Sequence, residues 1–384
     1  MSPGGAAPKV VILGAGFGGL ELSSRLSEEL GDAVAVTIID KSDSFVFGFS
    51  KLDVMFGKQP IADARLYYRD IAKSGVEFRQ ETIESIDPVA KRVVTDAGTY
   101  DADVLVVALG ADLDPEATPG LVEGGYEFYS IPGAERAGEV LADFDAGTVL
   151  VAVLGPFFKC PPAPYETAFL LHEMFEERGI RGAVTIHVLS TLPSPVPISP
   201  EVSGGILSAL AERNIEFSPS SRVTALDPAT RTATVDDGRT LSYDLFLGVP
   251  VHVPPAVVRD SGISEEDGWI AIDPATFATK FPDVYAVGDV TTAPVPRAGV
   301  IAEGEARTVA DVLLARLGDA ADAAPYSGKA SCYIEFGGGV VGKADMEFLG
   351  AGPPSGSFTA PSVALTAEKE EFGASRRRRW FGAG

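Results

Sequence analysis

The chain has 384 residues, enough for two or three domains with sizeable cores. Its composition is globular, 46% hydrophobic and 22% charged, and a formal net charge of −23 repels phosphate over most of the surface, which excludes nucleic acid as a partner. No apolar run approaches the length that spans a bilayer, and a strand begins by Val10, leaving no room for a secretory apolar region; a cytoplasmic protein is expected.

The first motif is "KVVILGAGFGGLELSSRL": an apolar strand, then Gly14, Gly16 and Gly19 in the spacing G-x-G-x-x-G, then a helical pattern. Gly14 permits a tight turn, Gly16 lets backbone approach a pyrophosphate, and Gly19 lets helix and strand pack closely. The helix start offers free N–H groups and a positive dipole end to phosphates. The next strand, "VAVTIID", ends in Asp40 about 20 residues later, where an acid accepts hydrogen bonds from an adenosine ribose. Lys41 follows it and joins the expected cofactor-binding set. The Phe-rich stretch "FVFGFSKLDVMFG" (45–57) could line a site for an apolar ring or simply pack the core.

Residues 83–110, "IESIDPVAKRVVTDAGTYDADVLVVALG", recur as 223–250, "VTALDPATRTATVDDGRTLSYDLFLGVP". Each copy reads as a small β-meander followed by a buried strand, so the chain holds two related nucleotide-binding-like units. Shifted by 141 residues, one more than the repeat, Gly14, Gly16 and Gly19 fall on Gly155, Phe157 and Cys160. Phe157 puts a ring where backbone must meet pyrophosphate, and Pro161, Pro162 and Pro164 lack the N–H groups that would bind it. The second unit is therefore not expected to hold NAD(P)H. Its loop offers Cys160 instead, just before a helix expected from about Tyr165 to Arg178. A thiol near a helix start and beside Lys159 is pushed toward thiolate. Glu166, in the first turn of that helix, either acts as a base or caps the helix.

Further on, "KFPDVYAVGDVTTAPVPRAG" is a strand ending in Gly288-Asp289, with a helix expected from residue 299 to 316. This resembles the late "GD" motif of two-domain flavoprotein reductases. The resemblance implies FAD, with Asp289 on the ribitol and the helix start, at Gly299, facing the flavin. The chain contains two cysteines, Cys160 and Cys332, too few for a disulfide framework, and composition alone reads them as inert core thiols. Cys332 lies on a strand where Cys332, Ile334 and Phe336 share a face. His172 and His187 read as satisfied core residues and His252 as a candidate catalyst; no Cys/His cluster has metal spacing. The tail "SRRRRWFGAG" combines four arginines with Trp380 and Phe381. Arg376–Phe381 suits either an anionic membrane surface, as a peripheral contact, or a tail folded back on an acidic body.

Taken together, the turn at Gly14–Gly19, "KCPPAPYE", "VGDV", "PRAG" and "SCYIEFGGGVVGKAD" resemble the sulfide-oxidising flavoproteins, sulfide:quinone oxidoreductase and the flavoprotein subunit of flavocytochrome c sulfide dehydrogenase. The resemblance covers nearly the whole chain. It implies an α/β fold with two Rossmann-like domains, of the glutathione-reductase type, plus a small C-terminal segment. The expected division is 1–112 and 244–320 for the FAD domain, 113–243 for the degenerate unit, and 321–384 for the segment carrying Cys332. It implies that Cys160 and Cys332 form a redox-active disulfide beside FAD, that sulfide or a small thiol attacks it, and that Glu166 handles a proton. It adds Gly110 and Arg297 to the cofactor set and makes a quinone the electron acceptor; a homo-oligomer is compatible with it. Three features depart from the family: no third, upstream cysteine is present, Leu109 stands where Thr is usual, and Arg297 stands where Lys is common. Two other readings stay open, an NADH-dependent quinone or flavin oxidoreductase and a flavoprotein that stores persulfide or senses redox state without turnover.

Overall fold

The computed structural model describes residues 6–71, 73–318 and 323–382. Strands Lys9–Leu13, Ala35–Asp40, Val76–Gln80, Val104–Val107 and Val284–Ala286 form one parallel five-stranded sheet. Lys9–Leu13 lies in its middle, paired with Ala35–Asp40 on one side and Val104–Val107 on the other. Val104–Val107 is buried at every position, as a strand covered on both faces requires. Helices Phe17–Leu30 and Gly299–Leu317 pack on each other against this sheet. The late strand Val284–Ala286 thus returns to the sheet begun by the first residues.

The second parallel sheet contains Tyr126–Glu127, Leu245–Val249, Gly147–Val153, Val184–Leu189 and Ile215–Ser218, in that spatial order. The internal repeat is real in three dimensions. Strands Ile83–Asp87, Arg92–Thr95 and Thr99–Asp101 recur as Val223–Asp227, Thr232–Val235 and Thr240–Ser242, and both meanders carry their irregularity at the same place, between Ile83 and Ser85 and between Val223 and Ala225. Asp87 and Asp227 even accept the same pair of backbone N–H groups, from Val89 and Ala90 and from Ala229 and Thr230. The two units differ at one turn. Between strand and helix the first needs only Gly14–Gly16, whereas the second runs from Leu154 to Pro162 before its helix, Ala163–Glu177. Cys160 sits in that enlarged loop.

The C-terminal segment adds an antiparallel sheet, Lys329–Glu335, Val341–Glu347 and Ser355–Ser362, and a helix, Val363–Phe381. The expected boundary at residue 320 lies outside the described residues. The helix corrects one expectation. Trp380 is 0% exposed and Phe381 6%, so the tail aromatics are core rather than a membrane anchor. Trp380 Nε1 donates to the buried Glu21 at 3.0 Å, Arg379 donates to Glu21 and Glu28, and Arg376 to the buried Glu303. These arginines neutralise carboxylates that burial would otherwise leave uncompensated. The peripheral membrane contact through Arg376–Phe381 is therefore not available; the tail folds back on the acidic body. No helix among the described residues is long and apolar enough to cross a membrane.

Candidate functional site

A cavity of about 330 Å³ opens where the carboxyl ends of the first sheet meet the Cys160 loop and the C-terminal sheet. Open α/β sheets bind ligands at this edge. Three helices begin there, Phe17–Leu30, Ala163–Glu177 and Gly299–Leu317, and none has a side-chain cap. Helices Phe17–Leu30 and Gly299–Leu317 bring free N–H groups and positive dipole ends to the cavity, an environment suited to an anionic or electron-rich ligand, whereas at Ala163–Glu177 the first N–H groups are bonded to the Cys160 and Pro162 carbonyls and Pro164 has none.

The glycines separate into those the protein needs for itself and those it does not. Gly14 has φ +99°, and a Cβ there would lie 2.4 Å from the Ala108 carbonyl oxygen; a Cβ on Gly19 would lie 2.0 Å from that of Gly14. A Cβ on Gly16 would meet nothing within 4 Å. Among the described residues nothing requires glycine at 16, and its bare backbone lines the cavity. Asp40 braces this turn, accepting from Ala15 N and Ser42 N at 2.8 Å each.

The expected cofactor residues do not all face the cavity. Gly16, Gly110, Gly288, Asp289 and Gly299 line it. Lys41 is exposed at the surface. Arg297 faces a second cavity of about 550 Å³ on the other side of the Cys160 loop. Its guanidinium lies over Trp269, 4.0 Å from the ring centroid, and over Phe157 at 4.9 Å, and its Nε donates to the Asp289 carbonyl at 2.9 Å. Arg297 thus positions Asp289 from behind.

Cys160 and Cys332 line the same cavity, and both are free thiols here. Cys160 has φ +51°, a left-handed conformation unusual for a residue with a side chain. Its N–H donates to the Arg297 carbonyl at 2.9 Å, and its carbonyl accepts from Ala163 N at 2.9 Å and from the Tyr129 hydroxyl at 3.4 Å. Cys332 lies on strand Lys329–Glu335, opposite Ala344, and Ile334 and Phe336 are buried. Glu166 joins the two cysteine-bearing elements: its Oε1 accepts the Glu335 N–H at 3.0 Å. It reaches across to the strand rather than capping its own helix.

The electrostatics correct the expected thiolate. Burial pushes the Cys160 thiol up to about 11, with Asp289 and Glu166 adding to the rise and Lys51 and Lys159 failing to reverse it. Burial pushes Cys332 up to about 12, and the neighbouring Cys160 sulfur raises it further. Glu166 is held at about 7, chiefly by burial, with Lys369 and the Glu335 N–H opposing. Lys51 Nζ donates to the Tyr129 carbonyl at 2.6 Å and is lowered to about 8, by burial first and then by Lys159. Sequence reasoning passed over Lys51 and Tyr129; the available signal was a lone cation between Phe49 and Leu52, both of which line the cavity.

Two N–H groups of the second, glycine-poor turn are already engaged. Its Cys160 N–H is spent on Arg297, and the Lys159 N–H points at His252 Nε2 at 3.4 Å. His252 Nδ1–H donates to the Pro250 carbonyl at 2.9 Å, in the tautomer this network assigns, and burial holds the ring neutral, at about 3. His252 is thus a structural support of the loop rather than the catalyst entertained from sequence. His172 accepts from Arg181 Nε at 2.9 Å and His187 pairs with Ser218 at 2.9 Å, both satisfied as expected.

Comparison with known proteins agrees with this architecture. Residues 8–156 and 163–307 match the family described as pyridine nucleotide-disulphide oxidoreductase; the break between the two stretches coincides with the Cys160 loop. Mouse mitochondrial sulfide:quinone oxidoreductase is 22% identical over 88% of this chain and 78% of its own length. The sulfide-quinone reductase of Aquifex aeolicus is 26% identical over 86% of this chain and 82% of its own. A type II NADH:quinone oxidoreductase of Staphylococcus saprophyticus is 24% identical over 73% of this chain and 74% of its own. The crystal structure of the Aquifex aeolicus sulfide:quinone oxidoreductase superposes with a TM-score of 0.84, covering 97% of this chain and 92% of that one at 22% identity. The chain belongs to the pyridine nucleotide-disulphide oxidoreductase family, as a two-domain flavoprotein whose cofactor is FAD.

Proposed function

We propose that this enzyme oxidises sulfide through a Cys160–Cys332 pair and passes the electrons, by way of FAD, to a quinone. The observation that carries the reading is the placement of the chain's two cysteines on one cavity with the Gly16 turn, Gly288-Asp289 and the start of helix Gly299–Leu317. Relatives named sulfide:quinone oxidoreductase, in mouse and Aquifex aeolicus, support the same activity.

In the oxidised pair, hydrosulfide attacks one cysteine sulfur. A new sulfur–sulfur bond forms as the Cys160–Cys332 bond breaks, leaving a persulfide on one residue and a thiolate on the other. Bound along Gly16, Gly110, Gly288-Asp289 and Gly299, FAD would supply two-electron acceptor chemistry and a relay to the quinone. Loss of two electrons and a proton leaves the sulfane sulfur bridging the cysteines, and a second hydrosulfide or a small thiol removes it and lets the disulfide close. Glu166, near 7, holds or releases a proton beside the strand of Cys332 at neutral pH. On the C-terminal side the cavity is walled by Tyr333 and Phe372, edge to face at 5.8 Å, with Phe49 and Val300, an apolar frame for a quinone ring.

An anaerobic titration tests this. Sulfide should bleach the oxidised flavin band, a short-chain quinone should restore it, and NADH should leave it unchanged. Bleaching by NADH but not by sulfide would replace this reading with that of the type II NADH:quinone oxidoreductases. Bleaching by a single equivalent without turnover would leave a persulfide store.

A further inference from the structure

Helix Gly48–Met55 brings one more chemical group to the sulfurs. Gly48 lies against Cys160: a Cβ on it would stand 3.5 Å from Sγ. Lys51, about one turn on, lines the same cavity as Cys160, Cys332 and Glu166. Its ammonium donates to the Tyr129 carbonyl at 2.6 Å, and the Tyr129 hydroxyl donates to the Cys160 carbonyl, so one residue holds both partners in place. Glu127 and Asp289 act on Lys51 through space rather than as ion-paired carboxylates. A buried ammonium aimed at a neutral carbonyl, in the cavity that also holds a sulfur which must change charge, is an expensive arrangement unless that charge change is what it serves.

We propose that Lys51 is the proton donor to the Cys160 sulfur when that sulfur departs as a thiolate. This role rests on the redox-pair reading above. One proton moves and no electron does: the Lys51 ammonium becomes an amine as the Cys160 thiolate becomes a thiol. The amine takes that proton back when the Cys160 thiol is oxidised, so the two-electron step still releases one proton overall. Transfer runs downhill, because burial lowers Lys51 to about 8 while it raises Cys160 to about 11. Glu166 serves the other side, bonded to the strand that carries Cys332. The remaining groups that act on the pair are Lys159 on the loop, Asp289 on the late turn, Glu127 beside Tyr129 and the neutral His252.

The test reads the thiol itself and needs no sulfide. In FAD-loaded Cys332→Ser protein, iodoacetamide alkylation of Cys160 is followed from about pH 6 to about pH 10, where the rate tracks the thiolate. The logarithm of the rate should rise with pH and flatten near pH 8, as the Lys51 ammonium is lost. Lys51→Met should remove that break and slow alkylation below it by roughly three- to tenfold. Lys51→Arg keeps the charge, so it should restore the low-pH rate and move the break out of range. An unchanged profile in Lys51→Met overturns the proposal. A parent profile that runs straight through pH 8 overturns it without any lysine variant, should Lys51→Met fail to fold. Because alkylation is independent of the substrate, a flavin that sulfide cannot bleach would sink the redox reading while leaving this measurement interpretable.

Discussion

Glu166→Gln keeps the shape of the side chain and its acceptor for the Glu335 N–H while removing the ionisable proton. In the folded chain the carboxyl is displaced from 4.5 to about 7, chiefly by burial. At about 1.4 kcal/mol per pH unit, that displacement amounts to about 3 kcal/mol. The sign follows from which state binds the proton more tightly. Below pH 4.5 the carboxyl is protonated whether the chain is folded or not, and it exerts no penalty. As pH rises toward 7 the unfolded chain ionises first, so the parent loses stability. Above about pH 7 the penalty is complete and constant. The glutamine variant carries no such penalty. Urea unfolding of parent and variant, both saturated with FAD, should therefore show the variant gaining up to about 3 kcal/mol on the parent between pH 4 and pH 8. Other groups titrate equally in both proteins and cancel. A parent–variant difference that stays flat across that range would refute the claim that Glu166 carries its proton into the neutral region, and with it the proposed proton handling at Cys332.

Gly16→Ala should leave the apoprotein's melting temperature nearly unchanged, because nothing in the chain lies near the added methyl, yet weaken FAD binding by about tenfold or more, read from the flavin-to-protein absorbance ratio. Gly19→Ala should do the reverse first: its Cβ meets the Gly14 carbonyl at 2.0 Å, and overpacking of this kind costs about 1–3 kcal/mol of stability in chemical denaturation. Trp380→Ala should cost about 3–5 kcal/mol in the same assay, since the indole is fully buried and its N–H satisfies Glu21. Cys160→Ser and Cys332→Ser should each retain FAD and lose rapid bleaching by sulfide, followed by stopped-flow absorbance.

The parts of this protein legible in its sequence are those where a residue type is forced by local geometry. Gly19 is dictated by the Gly14 carbonyl five residues before it and Gly14 by the positive φ of its own turn, and the duplicated meanders repeat the same Asp-Pro turns. The two cysteines could be placed in motif segments, and the structure brings both to the cavity. What escaped depends on contacts between distant segments. The thiol of Cys160 was expected to ionise because Lys159 and a helix start are its neighbours in sequence; burial and Asp289, which is far along the chain, decide otherwise. Lys51 looks like an ordinary surface lysine until Tyr129 closes over it. The arginine-rich tail has poor apolar periodicity because only its end is buried; its real partners, Glu21 and Glu303, sit inside other helices where acids normally face water. Arg297 was assigned to the cofactor from a motif position, and only the packing of Trp269 and Phe157 shows it facing the other way.

The most direct measurement is peptide mass mapping of oxidised protein, alkylated anaerobically before and after one equivalent of sulfide. Cys160 and Cys332 should first appear joined in one disulfide-linked peptide, then separate, with a persulfide on one of them as the flavin band falls. Bleaching of the flavin while both residues remain unlinked and unmodified thiols throughout would contradict the redox pair on which the mechanism stands.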